Sequence, residues 1–344
     1  MTAPPENPPV LSTTSRIRVP TPSQVWIRRM TALAQVWTLI ALGLFFSLAA
    51  PSFLRPNNLN NILAQISTLA IFGTGMTFVL LMGEIDLSIA AIAGLAGMVA
   101  TQVHLLLEYP EPIPTIAALG TATLLGLISG VASTRFRIPT FMTTLAMSLM
   151  AGGLNTFISK GRTLTDIPDI ASFLGSGRIG GENGFRVLIL VGAMTLLIGH
   201  LILRYTRFGR YIYMTGANKS AARLVGVNTN FVLTMVLILS AFTAGLAGIV
   251  SMGRLGSAQP QEVPSYLIDT IGAVVLGGTS LMGGRGSIPQ TLVGLFIYGT
   301  LRNGLDNMPQ IDVYLKEFIT GVVLMSALLV NILFSGKGTR DKTG

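Results

Sequence analysis

The sequence holds no cysteine, so it can build neither a disulfide framework nor a thiolate metal site. Two histidines, His104 and His200, are too few for a histidine-based metal centre. Charge is scarce: 11% of the 344 residues are Asp, Glu, Lys or Arg, against about 25% in ordinary globular proteins. No G-x-x-x-x-G-K-[ST] segment occurs, so the chain carries no P-loop of its own. No Ser/His/Asp cluster, catalytic acid pair or metal spacing stands at a credible site. These absences argue against an enzyme and against a cofactor or metal requirement. The net charge of +9 calls for no nucleic-acid partner, because an orientation bias of Lys and Arg in a membrane protein accounts for it.

What the sequence has is apolar length. Half of its residues are hydrophobic, and they gather into runs near the length that crosses a bilayer. Ten spans are expected, at about 34–53, 59–82, 86–107, 113–133, 138–158, 186–203, 229–252, 266–281, 289–305 and 311–334. The expected fold is all-α: a polytopic membrane protein with about ten transmembrane helices. Residues 1–30 read as a disordered cytoplasmic tail, with six prolines before residue 26 and no apolar period. Residues 31–334 form the membrane domain, and 335–344 a second cytoplasmic tail. Ser47-Leu48-Ala49 fits a signal-peptidase site, but the further spans favour an uncleaved first helix. With the N-terminus inside, most of the 23 basic residues fall on inner segments, among them Arg135, Arg137, Arg204, Arg207, Arg210 and Arg223. Both termini are then cytoplasmic.

The thirty-nine glycines suit close helix packing in lipid. Ala93 with Gly97, and Gly126 with Gly130, sit at packing spacing, and a seam inside one chain is the expected use. The longest outer loop runs over 159–185. Within it, Gly175 to Gly180 fits G-x-G-x-x-G, but no strand precedes the match and no helix follows, so it is set aside. Asp312 and Lys316 stand four apart and read as a local pair.

Three polar stretches interrupt the apolar pattern. Gly83-Glu84-Ile85-Asp86-Leu87-Ser88 puts two carboxylates close to hydrocarbon, where charge is costly. Asp86 reads as the cap of the following span, and the segment also reads as a break whose backbone lines a pathway. Glu84 has no capping role and is the stronger pathway candidate. Gly277 to Ser287 carries five glycines in eleven residues, with Thr279 and Ser280 able to return hydrogen bonds to the freed backbone. Asp269 is a lone acid in its span, either satisfied by a neighbouring helix or facing a polar cavity. The third stretch is the cytoplasmic loop at about 204–228. Asn218 is a good N-cap and Gly226 a good C′ residue, so the piece between reads as a helix of about two turns. Such a helix needs something to lie against. Ala221 and Ala222 leave a smooth face, and Lys219 and Arg223 lie on one side. A solvated basic loop with a frayed turn is the other reading.

Four stretches, taken together over roughly 35–334, resemble the membrane permeases of bacterial ABC importers for monosaccharides. They are Glu84-Ile-Asp-Leu-Ser88; Phe208 to Asn218 leading into Ala221-Ala-Arg-Leu-Val-Gly226; Arg254-Leu-Gly-Ser-Ala258; and Val275 to Ile288. The resemblance implies a bacterial inner-membrane permease, usually a homodimer and sometimes a heterodimer. It implies two cytoplasmic ABC ATPase subunits as partners and a periplasmic sugar-binding protein that delivers the solute. It makes Gly216, Asn218, Ala221, Ala222, Arg223 and Gly226 the ATPase-coupling residues. Glu84, Asp86, Ser88, Asp269, Thr279 and Ser280 are the candidates for the translocation path or gate. The chain departs from the family at Ala217, Lys219 and Glu84. A permease for a nucleoside or a branched-chain amino acid is the nearest rival. An ion-coupled secondary transporter using Glu84, Asp86 or Asp269 is the rival of another class.

Overall fold

The computed structural model describes residues 34–181, 184–260 and 265–336. The expected N-terminal tail and residues 337–344 of the C-terminal tail lie outside the described residues. Each of the ten expected spans coincides with a helix. In chain order these are α1 (Ala34–Ala49), α2 (Pro56–Leu81), α3 (Ile89–Leu107), α4 (Ile113–Arg135), α5 (Thr140–Ser159), α7 (Val187–Tyr205), α10 (Thr229–Leu255), α11 (Ser265–Leu276), α12 (Ile288–Asp306) and α13 (Val313–Gly336). Six of them, α2, α3, α4, α5, α7 and α10, are long and apolar enough to cross a membrane. The chain is thus a mostly helical, polytopic membrane protein.

α2 and α10 form the centre. Pro56 opens α2 at its first turn, where a missing N–H costs nothing. Of the apolar window of α2, 89% is buried, against 22% for α5. α2 is also rich in threonine, which a buried apolar helix tolerates only if every hydroxyl is satisfied. Thr74 and Thr77 donate to the carbonyls of Ala70 and Gly73 at 2.8 and 2.6 Å. α10 packs on α3 and α4 through small residues. Added Cβ atoms at Gly126 and Gly130 would lie near Ala241 and Thr234, and one at Gly97 near Met252. The small pairs seen in the sequence therefore serve packing inside one chain.

The long outer loop is organised: α6 (Asp169–Ser176) lies in it with Ala171 and Gly175 buried. Three expectations need correction. A two-residue antiparallel ladder follows, β1 (Arg178–Ile179) with β2 (Phe185–Arg186), so the chain is not wholly α. Glu111 tethers this loop by accepting from the Ile170 N–H at 3.1 Å. The span expected at 266–281 is shorter than drawn. Twelve helical residues of α11 reach about 18 Å, well under the roughly 30 Å hydrocarbon core. Lys316 does not pair locally with Asp312; its ammonium donates to the Asp306 carbonyl at 3.4 Å, and Asp312 accepts from the Tyr314 N–H at 2.9 Å.

The loop after α7 folds into two short helices, α8 (Arg207–Ala217) and α9 (Lys219–Leu224). They lie at the end of the bundle where α2, α4, α7 and α11 finish and α3, α5, α10 and α12 begin. That end also carries Arg135, Arg137, Arg204, Arg207, Arg210 and Arg223.

Candidate functional site

Three interruptions in the helical pattern converge at the basic end. The first follows α2. Residues 84–88 belong to no helix or strand, and α3 starts only at Ile89. A non-helical stretch inside a bundle must find partners for its backbone groups. Thr144 of α5 supplies one: its hydroxyl accepts from the Leu87 N–H at 3.1 Å, while its own proton has the Thr140 carbonyl as nearest acceptor at 2.9 Å. Asp86 supplies a second. Its Oδ1 accepts from the N–H of Ser88 at 2.9 Å and from that residue's hydroxyl at 2.6 Å. Its Oδ2 accepts from the Ser240 hydroxyl of α10 at 2.8 Å. Ser240 stands eleven residues into α10, about 16 Å from the helix start. Asp86 is therefore not a simple cap of α3, whose N-cap is Ser88. It is 1% exposed and fastens the break to the bundle interior.

The second interruption joins α11 to α12 over 277–287. Gly278, Gly283, Gly284 and Gly286 all take positive φ. Ser280 behaves as expected, accepting from the Met282 N–H at 3.2 Å. Thr279 does not: it is buried, and its hydroxyl has no partner among the described residues.

The third is the α8–α9 pair, and it holds the other two. The Gly284 N–H donates to the Leu81 carbonyl at 2.9 Å, joining the glycine loop to the end of α2. Tyr213 of α8 donates its hydroxyl to the Gly286 carbonyl at 2.9 Å. Burial raises the Tyr213 phenol above its usual range, which keeps the donor proton in place. Gly216, at the end of α8, sits between them. A Cβ there would collide with the Leu81 carbonyl and lie 2.8 Å from the Gly284 nitrogen. Lys219 of α9 reaches Glu84, with Nζ 3.8 Å from Oε1.

α9 has the caps that its sequence announces. The Asn218 side chain accepts from the Ala221 N–H at 2.9 Å. Gly226 takes φ +85°, a left-handed backbone that suits glycine. Val227 returns its N–H to the Ala222 carbonyl at 3.0 Å. The helix is six residues long, shorter than two turns. Its faces differ from the expectation. Ala221 is exposed, but Ala222 is 2% exposed and turns into the chain itself. The outward apolar residues are Leu224 and Val225, at 89% and 67% exposure. Sequence reasoning missed both, and it missed α8. The signals for α8 were present: Thr206 caps it through the Gly209 N–H at 3.0 Å, and Phe208 and Ile212 stand four apart.

Arg223 is held by Thr229 and Asn230, at 2.9 and 3.4 Å. With Lys219, Glu84, Arg137 and Thr140 it lines a cavity of about 720 Å³. A second cavity, of about 430 Å³, is lined by Leu87, Ala90, Ser148, Gly152, Asn155 and Pro260. Glu84 lines the first and Leu87, three residues on, the second. Asp269 joins neither. It accepts a hydrogen bond from Tyr298 of α12, so a neighbouring helix does satisfy it. It also lines a third cavity, of about 230 Å³, beside Arg254 and Arg302.

Comparison with known proteins adds to this geometry. The family model described as branched-chain amino acid transport system / permease component matches residues 58–328. The ribose import permease protein RbsC of Escherichia coli is 37% identical over 310 residues, covering 90% of this chain and 95% of that one. The protein of the same name from Bacillus subtilis is 36% identical over 311 residues, covering 88% and 93%. The D-allose transport system permease protein AlsC of Escherichia coli is 32% identical over 297 residues, covering 86% and 90%.

Proposed function

The chain belongs to the branched-chain amino acid transport system / permease component family, and from that premise we propose that it is the membrane subunit of an ABC importer for a monosaccharide. The family description names one solute class, while the similar full-length relatives are named for ribose and allose. A neutral, hydroxyl-rich solute suits the chain better than a zwitterion, because charge is scarce along the spans. The subunit sits in the bacterial inner membrane with ten spans and both termini cytoplasmic. It works with two cytoplasmic ATPases, a periplasmic binding protein and a second permease subunit, a second copy being the expected one. α5, buried over only 22% of its apolar window, offers that subunit a face.

One observation carries the mechanism: α8 and α9 touch both breaks in the membrane segments. α9 is the element that docks on the ATPase, with Leu224 and Val225 as its apolar contact and Gly216, Asn218, Arg223 and Gly226 setting its shape. Ala221 stands on the exposed side, and Ala222 anchors the helix from within. Closure of the ATPases moves α9. The motion reaches Glu84 through Lys219, and the glycine loop through Tyr213 and Gly216. Glu84, Asp86 and Ser88 belong to the gate, because the non-helical segment separates Glu84, which lines the first cavity, from Leu87, which lines the second. Thr279 and Ser280 belong to the loop that moves with it. Opening the gate on alternate sides gives alternating access.

The test is co-purification with the partner ATPase, together with ribose uptake by vesicles holding the complete importer. ATP-dependent uptake that needs the binding protein is the expected result. Uptake driven by a proton gradient without any ATPase would overturn the reading.

A further inference from the structure

The first cavity, of about 720 Å³, has a lining that the gate does not account for. Three cationic side chains stand in it, Arg137, Lys219 and Arg223, against one carboxylate, Glu84. Arg137 belongs to the link between α4 and α5, and the other two to α9. α5 and α10 also begin here, at Thr140 and Thr229, and a helix start carries partial positive charge.

The cationic groups are not spent inside the chain. Arg137 makes no hydrogen bond or ion pair among the described residues. Its backbone has φ +59°, a left-handed conformation uncommon outside glycine. Arg223 is fixed by Thr229 and Asn230, which take two of its five N–H donors and leave three. Lys219 reaches Glu84 only at 3.8 Å. All three keep contact with water, so a dissolved anion can reach them. An orientation bias explains basic residues at this end of the protein, but it does not require them to share one cavity.

The chemistry of the lining identifies the class of guest. Three cations against one carboxylate leave two positive charges in excess. A phosphate monoester carries about −1.5 to −2 at neutral pH and offers three acceptor oxygens, where a carboxylate offers two. Guanidinium groups match phosphate oxygens in shape as well as charge. The volume falls within the roughly 300–1,000 Å³ of small-molecule sites, so the phosphate has room for an attached group of sugar size.

We propose that this cavity binds a phosphate-bearing molecule through Arg137, Lys219 and Arg223, and that the bound anion slows transport. The anion draws Lys219 away from Glu84 and ties α9 to the link between α4 and α5. In the mechanism above, α9 moves and Lys219 passes that motion to Glu84, so occupancy opposes both steps. The slowing of transport rests on the importer reading; the binding rests on the cavity alone. Two sources supply the group, a soluble phosphate ester and a phospholipid headgroup.

Binding is measured by calorimetry on the full-length permease in phosphatidylcholine nanodiscs, with D-ribose 5-phosphate as probe and D-ribose as control. Saturable binding of the ester alone is expected. Arg137→Asn should weaken it about ten-fold, the loss of one charged donor, while Arg137→Lys keeps most of it. Asparagine tolerates the left-handed backbone, so the variant should melt as the wild type does. Phosphatidylglycerol nanodiscs separate the sources. Unchanged ester binding there assigns the soluble ester. Loss of it, with less phosphatidylglycerol retained by Arg137→Asn in native mass spectrometry, assigns the headgroup. Vesicles with the complete importer, loaded inside with ATP and the ester, should take up ribose several-fold more slowly than vesicles with ATP alone. Arg137→Asn should remove that difference. Neither ester nor lipid binding, or equal binding by wild type and Arg137→Asn, overturns the site; ATP-driven uptake then leaves the permease reading standing. Binding as expected, with uptake that needs no ATPase, overturns the permease reading and leaves the site.

Discussion

Lys219 Nζ stands 3.8 Å from Glu84 Oε1, joining a six-residue helix at the protein's basic end to the start of a break in its membrane segments. Both side chains keep water contact, at 46% and 26% exposure. A pair of this kind contributes at most about 1 kcal/mol to stability. Lys219→Glu should therefore leave the unfolding temperature in detergent nearly unchanged. Uptake should fall, since like charges now face each other across the junction. Adding Glu84→Lys should restore much of it. A double variant no better than the single one would remove the pair from the transmission path.

Leu224 and Val225 point away from the chain, and Ala222 points into it. Leu224→Glu and Val225→Glu should fold normally and lose the ATPase on co-purification. Ala222→Glu should instead reduce the yield of folded protein, because it forces a charge into a packed site at a cost of several kcal/mol. Size-exclusion profiles of the three variants separate the two outcomes.

Gly216 has no room for a side chain between Leu81 and Gly284. Gly216→Ala should destabilise the protein by about 1–3 kcal/mol, the usual range for overpacking. Thermal melts report it directly. A neutral result would mean that α8 can slide along the glycine loop.

Ser240→Ala removes one of three hydrogen bonds to the buried Asp86 carboxylate. The cost should be about 1.5–3 kcal/mol, typical for a bond to a charged group. Asp86→Leu should cost more, because Ser88 and Ser240 then lose their shared acceptor. Hydrogen exchange at Ile85 to Ser88 should rise in both variants and show whether the non-helical segment has come loose.

Local chemistry in this chain is legible from its sequence. Asn218 and Gly226 bound α9 because capping depends on residues within one turn. The six long apolar helices follow from apolar runs, and the breaks at Gly83 and Gly277 from the glycines that end such runs. What stays hidden depends on distance. Asp86 reads as a cap because its interior partner, Ser240, is 154 residues away. Asp269 finds Tyr298 only when α11 and α12 pack. Ala221 and Ala222 are the same residue type side by side, and only tertiary packing decides which one faces in. α6 hides in a loop because its eight residues are anchored by Glu111 from another connection and by packing on α10, not by a long apolar period of their own.

Two contacts of the junction beneath the breaks end on main-chain carbonyls. The Gly284 N–H meets the Leu81 carbonyl, and the Tyr213 hydroxyl meets the Gly286 carbonyl. Contacts of this kind do not depend on which side chains line the cavities above. A lineage could exchange Ser148 or Asn155 to suit a new solute while the machinery that conveys motion stays as it is. Cargo and drive can then change at different rates, as a gearbox outlasts several loads.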